Sequence, residues 1–197
     1  VWSAPDTIQI SNSIIAENAP QDCSYPASSP ISGPNLDSDG SCDSFTITGS
    51  QDGLKVYGGW AGTESFTGVS DVQSRLDSRD LSAHRTILSG DLSGDDADPD
   101  GDGVIADAAD IAGTNSFHLL FLDGTTGGKI TTGTVIDGVT ITAGQADGDF
   151  PHSAGGGLFC DGEGDPTYEC SPTLRNLVFV GNRARGGGGA MNINGTF

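Results

Sequence analysis

The sequence predicts an all-β chain wound as a parallel β-helix, and three observations carry the prediction. One alternating apolar pattern occurs three times, Gly-rich corners recur between short β-branched runs, and glycine makes up 31 of 197 residues. The three copies are Ile8-Gln-Ile-Ser-Asn-Ser-Ile-Ile-Ala-Glu-Asn18, Val135-Ile-Asp-Gly-Val-Thr-Ile-Thr-Ala-Gly144 and Leu174-Arg-Asn-Leu-Val-Phe-Val-Gly-Asn182. Superposed, they bring together Ile10, Ile136 and Leu174, then Asn12, Gly138 and Asn176, then Ile15, Ile141 and Phe179, and last Asn18, Gly144 and Asn182. Alternation of period two that stops on Asn or Gly is the signal of a short strand ended by a left-handed corner. One such strand cannot bury its apolar face alone. Stacked coils can, by placing equivalent residues above one another in an interior column.

Taken in order, further strands are expected at Phe45-Thr-Ile-Thr48, Leu54-Lys-Val-Tyr57, Thr86-Ile-Leu-Ser89 and Phe117-His-Leu-Leu-Phe-Leu122. Two more, Gly155-Gly-Gly-Leu-Phe159 and Gly187-Gly-Gly-Ala-Met191, are entered through Gly-rich corners where backbone passes close to backbone. Stretches 63–85 and 89–115 read as long polar connections, and loops of that length usually carry function or are ordered by a ligand. No helix is expected; Val72 to Leu81 reads as a short turn at most. The predicted column comprises Ile10, Ile15, Val135, Ile141, Leu174, Leu177 and Phe179, with Asn18 and Asn182 shaping corners, in a single domain spanning 1–197.

The chain carries 27 Asp and Glu against 8 Lys and Arg, a formal net charge of −19 and a pI near 4.1. Phosphates and anionic membrane surfaces would be repelled, so nucleic acid is excluded as a partner and cations are favoured. No apolar run approaches the ~20 residues of a membrane span, and the start lacks the charged-then-apolar order of a leader, as expected of a mature or excised segment. The four cysteines form two local pairs, Cys23 with Cys42 and Cys160 with Cys170, bracketing loops at 19–44 and 160–170. That spacing favours two disulfides and an extracellular or cell-surface location over a zinc site, which the scattered His84, His118 and His152 do not complete.

Calcium is the expected cofactor. Within Gly94-Asp-Asp-Ala-Asp-Pro-Asp-Gly-Asp-Gly-Val-Ile-Ala-Asp-Ala-Ala-Asp110, alternating carboxylates at Asp96, Asp98, Asp100 and Asp102 could converge on one ion once Gly101 and Gly103 turn the loop, with Asp107 or Asp110 closing the set. The loop resembles an EF-hand or dockerin loop imperfectly: started at Asp96 it has Gly103 at the apolar position, and started at Asp98 it has Ile105 there but Asp110 one place late. Without a cation, so many close carboxylates would repel one another. Asp37, Asp39 and Asp43, and likewise Asp161, Glu163 and Asp165, are weaker metal candidates inside the disulfide-bracketed loops.

Leu54-Lys-Val-Tyr-Gly-Gly-Trp-Ala-Gly-Thr-Glu64, Ser78-Arg-Asp80 and Arg85-Thr-Ile-Leu-Ser-Gly-Asp91 resemble secreted bacterial right-handed parallel β-helix repeat proteins. Phe179-Val-Gly-Asn182 and Gly188-Gly-Ala-Met191 resemble the FxxN and GGA[ILVY] repeats of the polymorphic outer-membrane protein family, with Met at the last place. The resemblance implies a right-handed solenoid at the cell surface and brings no catalytic set. It also shows an inversion, because the segment from Ser11 to Cys42, which looks like a late coil and its loop, precedes the Gly-Gly-Trp region. Read from Phe197 into Val1, the repeat is uninterrupted, so head-to-tail self-stacking of the C-terminal coil on the next subunit's N-terminal coil is expected, propagating into a filament.

The expected role is therefore structural, not enzymatic. The two rivals are an adhesin binding glycans through Trp2, Tyr25, Tyr57, Trp60, Tyr168 or Phe197, and a calcium-dependent polysaccharide lyase using Arg175, Arg183 or Arg185 as base. Trp60 is expected to pack beneath a corner and His118 to be a packed histidine. Asn194-Gly-Thr196 satisfies a glycosylation sequon.

Overall fold

The computed structural model describes residues 44–164 and 167–195. The Ile8–Asn18 repeat, Cys23 and Cys42, the acids Asp37, Asp39, Asp43 and Asp165, and Thr196 of the sequon lie outside the described residues, as do Trp2, Tyr25 and Phe197.

Among the described residues twelve short strands form four sheets, and every strand pairing is parallel. The first sheet stacks β1 (Phe45–Thr48), β4 (Leu120–Asp123), β8 (Leu158–Asp161) and β12 (Met191–Asn194). The second stacks β2 (Lys55–Tyr57), β5 (Val135–Asp137) and β9 (Thr173–Arg175). The third stacks β3 (Thr86–Ser89), β6 (Val139–Thr142) and β10 (Val178–Val180), and the fourth pairs β7 (Gln145–Ala146) with β11 (Arg183–Ala184). From β4 onward the chain visits first, second, third and fourth sheet in turn and begins again.

Between the circuit that starts at β4 and the one that starts at β8 the interval is constant. Leu120 pairs with Leu158, Val135 with Thr173, Thr140 with Val178 and Gln145 with Arg183, each a step of 38 residues. This register matches Ile136 with Leu174 and Ile141 with Phe179, as the superposed repeats require. Gly138 and Asn176, equivalent in the superposition, both adopt positive φ, 81° and 48°. Gly pays no Cβ penalty there and Asn tolerates the conformation better than most residues.

The step of 38 residues includes the segment that joins the first sheet to the second. Cys160 and Cys170 are bonded, and Cys170 lies on Ile130 of the preceding circuit through a parallel bridge. Ile130 N donates to Glu169 O at 2.9 Å and Ser171 N to Ile130 O at 2.8 Å.

Register builds the core. Ile47, Leu122, Cys160 and Ile193 are vertical neighbours in the first sheet, and the first three are wholly buried. Val56, Ile136 and Leu174 align in the second sheet and Leu88, Ile141 and Phe179 in the third. Each fully buried Ile or Leu contributes about 1.5–3 kcal/mol relative to exposure. Val135, expected in this column, is only half-buried, because alternation turns its neighbour Ile136 inward instead.

A short helix, α1 (Val69–Arg75), followed by a 3-10 turn at Leu76–Ser78, occupies part of the 63–85 connection where no helix was expected. It is held locally by the Asp71–Arg75 pair at 2.8 Å. Behind it Arg79 turns inward: Nη2 donates to Asp137 Oδ2 at 3.0 Å, Nη1 to Gly58 O at 2.9 Å and Nε to Leu76 O at 2.9 Å. Asp137 also accepts from Asn176 Nδ2 at 2.8 Å, and the guanidinium lies against the Tyr57 and Trp60 rings. Trp60 is buried, as expected of a ring beneath a corner. Among the described residues no helix is long and apolar enough to cross a membrane.

Candidate metal centre

The 89–115 connection leaves β3 and is closed at its neck by an antiparallel bridge between Asp91 and Asn115. Leu92 N donates to Thr114 O at 3.2 Å and Ser116 N to Gly90 O at 2.8 Å. Despite its aspartates the loop is anchored, because Ile105 and Ile111 bury themselves against Ala143. Ile105 N donates to Thr142 Oγ1 at 2.9 Å, and that hydroxyl donates back to Ile105 O at 3.0 Å. These two apolar residues fix the far limb of the loop against the third sheet.

Two groups result, where the sequence suggested one. Asp91, Asp95 and Asp96 bring carboxylate oxygens within 4.8 Å of one another, and so do Asp98, Asp100 and Asp102. Asp96 thus parts from Asp98, Asp100 and Asp102. Asp107 and Asp110 join neither group: the Asp107 carboxylate accepts from Ala109 N at 2.9 Å and caps the 3-10 turn Ala108–Asp110, while Asp110 O accepts from Ala97 N at 3.0 Å. Asp91 and Asp95 were not among the predicted ligands. The readable signal for them was the spacing Asp91, Asp95, Asp96 directly after the β3 strand, obscured by the more regular alternation that follows.

In the first group Asp91 Oδ1 accepts from Gly94 N at 2.8 Å and Oδ2 from Asp96 N at 3.2 Å. Asp96 Oδ1 accepts from Ala112 N at 2.6 Å and Oδ2 from Asn115 Nδ2 at 2.7 Å. Burial pushes the Asp96 carboxyl above its ordinary range, and the Asp91 and Asp95 charges push the same way against those two hydrogen bonds. Gly113, at φ 54°, leaves room for Asp95: a Cβ there would stand 2.3 Å from Asp95 Oδ2. Asn115 is 9% exposed, its Nδ2 also donates to Ala143 O at 2.9 Å, and its Oδ1 is buried without a hydrogen-bond partner. A buried amide oxygen left unpaired is costly unless something satisfies it.

In the second group Asp98 accepts from Gly103 N at 2.9 Å and Gly101 N at 3.0 Å, and the Gly103 bond chiefly holds its carboxyl below the usual range. Asp100 is pushed up by its contact with Asp98 and by the Asp102 charge. Asp102 receives Arg85 Nη2 at 2.9 Å, so this group is partly neutralised from within the protein.

Chemically these are hard oxygen donors. Two ligands each about 2.4 Å from a calcium ion can be at most about 4.8 Å apart, a spacing that the oxygens of either triad meet. Elsewhere Asp161 Oδ1 accepts from Glu163 N at 3.0 Å and Asn194 Nδ2 at 2.9 Å, and among the described residues no third acid gathers there.

His118 is a packed histidine, as expected. Its Nδ1 donates to Gly155 O at 3.0 Å, since a carbonyl only accepts, so in the neutral ring Nε2 accepts from His152 Nδ1 at 3.1 Å. Burial foremost, then the His152 charge, holds it below the ordinary histidine range, against the Gly155 bond. Phe121 and Phe159 flank the ring. Of the arginines considered as bases, Arg185 pairs with Asp149 at 2.9 Å, and Arg175 and Arg183 lie on β9 and β11, while the arginine bonded to the acidic loop is Arg85.

Compared with protein-family models, with curated proteins and with solved structures, the chain matches none.

Proposed function

We propose that this chain is a right-handed parallel β-helix of the secreted bacterial repeat type, acting as an extracellular structural module whose acidic loop is tied down by calcium. The observation that carries the reading is the parallel stacking of strands in four sheets, with one shared step of 38 residues from β4, β5, β6 and β7 to β8, β9, β10 and β11, which builds interior columns. The Cys160–Cys170 disulfide supports an oxidising location. Two carboxylate triads, together with Asn115, whose Nδ2 bonds Asp96 while its buried Oδ1 has no hydrogen-bond partner, support a hard divalent cation. The calcium would link the end of β3 to the neck of the loop, giving the longest connection between rungs a fixed shape. Its work is mechanical, and no proton transfer is assigned to any residue.

The test is thermal unfolding followed by circular dichroism with calcium and with chelator. At about 100 times the dissociation constant, calcium stabilises by about 2.7 kcal/mol per site. The expected result is a melting temperature several degrees higher in calcium, with half or more of the gain lost in Asp96→Asn. An unchanged melting temperature in calcium overturns the calcium assignment, and an equal gain from magnesium overturns its selectivity.

A further inference from the structure

Alternation along β4 and β8 turns two aromatic rings away from the core. Leu120, Leu122, Leu158 and Cys160 enter it, so Phe121 and Phe159, paired in register, stand on the opposite face of the first sheet. Phe159 is nevertheless wholly buried, with Phe121, His118 and Phe150 packed around its ring. The cover comes from the turn at 147–155, which sets Phe150 edge-on to Phe159 at 5.8 Å and stacks His152 on Phe117 at 4.8 Å. Few bonds hold that turn down. Gly148 N donates to His152 O and Ala154 N to Pro151 O, both within the turn. Among the described residues three hydrogen bonds join 148–154 to the rest of the chain: Gly186 N to Ser153 O at 2.8 Å, Arg185 Nη2 to Asp149 Oδ1 at 2.9 Å, and the bond between the His118 and His152 rings at 3.1 Å. The Asp149 side chain is 99% exposed, so its ion pair contributes little.

The histidine bond tolerates one added proton and not two. In the neutral pair His118 Nδ1 donates to Gly155 O and His118 Nε2 accepts from His152 Nδ1, while His152 Nε2 has no partner among the described residues. A proton on His152 Nε2 therefore leaves the chain of bonds as it was. With a second proton, on His118 Nε2, both facing nitrogens are donors and both rings carry charge. His118 is 1% exposed and its Nδ1 still suits Gly155 O, so His152, on the turn, is the ring that must leave. The charged groups around the pair are Asp147 and Asp149 on the turn, Arg183 and Arg185 at β11, and Asp123 and Asp161 at the ends of β4 and β8. None of them bonds either ring, so no carboxylate holds the doubly charged pair together.

We infer that the His118–His152 bond is an acid-released latch: the second proton on the pair frees the 147–155 turn and bares Phe159 and Phe121, while the parallel sheets stay paired. Burial foremost, then the His152 charge, disfavours a charged His118 ring in the closed turn, so the opened turn is the form that accepts the proton. The latch uses no residue of the acidic loop and goes beyond the mechanical role proposed above.

The test is NMR of the isotope-labelled full chain at constant calcium between about pH 7.5 and 5, above the ordinary carboxylate range of about 4. Histidine ring signals report protonation, and hydrogen exchange, corrected for its own dependence on pH, reports opening. As His118 takes its proton, the amides of Gly148, Ala154 and Gly186 are expected to lose protection together, with opening rising by up to about tenfold per pH unit. Those of Val135, Gly138 and Thr173, which bond between neighbouring strands, are expected to keep theirs. His152→Gln places an amide that accepts from a charged His118 as readily as it donates to a neutral one, and is expected to hold the turn closed through the same window. Unchanged turn amides while His118 titrates overturn the latch, and so does a His118 ring still neutral at about pH 5. Simultaneous loss of protection at Val135, Gly138 and Thr173 is global unfolding and overturns it as well. A His152→Gln chain that opens as the parent does shows that the ring pair is not what holds the turn.

Discussion

Arg79 is the side chain whose removal tests the packing argument most directly. Arg79 and Asp137 are each only 5% exposed and meet at 3.0 Å, with α1 and the 3-10 turn on one side and the β5 corner on the other. Arg79→Met keeps the length and apolar stem but leaves the Asp137 carboxylate buried with Asn176 as its remaining side-chain donor. Breaking a buried pair in this way costs about 3–5 kcal/mol. The lower end applies here, about 3 kcal/mol, because Asn176 stays and the methionine still fills space against Tyr57 and Trp60. At a urea m value of about 2 kcal/mol/M, the midpoint falls by roughly 1.5 M. Urea titration by circular dichroism, repeated on tryptophan emission, measures it. Arg79→Met with Asp137→Asn removes both charges, and its loss should be at least about 1 kcal/mol smaller than the sum of the single losses. A midpoint shift under about 0.3 M at unchanged m, or strict additivity, would refute the clamp.

Two further outcomes follow from the described geometry. The folded-state pKa of His118 is lowered, so below about pH 6.5 the unfolded chain binds a proton that the folded chain refuses. Stability should be level above that pH and fall as pH drops from 7 to 5.5, by at most about 1.4 kcal/mol per unit; His118→Gln, compared by urea midpoint across that window, should flatten the slope, with His152 as the remaining titratable neighbour. Gly144→Ala would place a Cβ 1.9 Å from Gly156 O and 2.8 Å from Leu119 Cδ1, so a loss of several kcal/mol or failure to fold is expected, and a melting temperature within 1 or 2 °C of the parent would contradict the close passage of the two rungs.

Much of the stack was legible because its rule is local. Alternating apolar residues and corner residues repeat at one spacing, so aligning Ile136 with Leu174 and Ile141 with Phe179 needed no coordinates, and the strand pairing has the same register. The strands at Phe45, Lys55, Thr86 and Leu120 were likewise marked by β-branched and aromatic runs between turn residues. The helix at Val69–Arg75 was not, because its polar sequence has no apolar stripe. The carboxylate groups were half legible: composition located the acidic loop, but not the separation of Asp96 from Asp98 or the recruitment of Asp91 and Asp95.

By itself, then, the sequence determined the parallel stacking register, the corner positions, the pairing of Cys160 with Cys170 and the acidic character of the 89–115 loop. Each of these depends on residues near one another along the chain or on a pattern repeated within it. Tertiary structure alone decided that Arg79 meets Asp137, that Ile105 is pinned to Thr142, and that Cys170 lies on Ile130. These contacts join positions tens of residues apart that share no pattern, and they exist only once the parallel strands have paired, because that pairing sets which loops become neighbours.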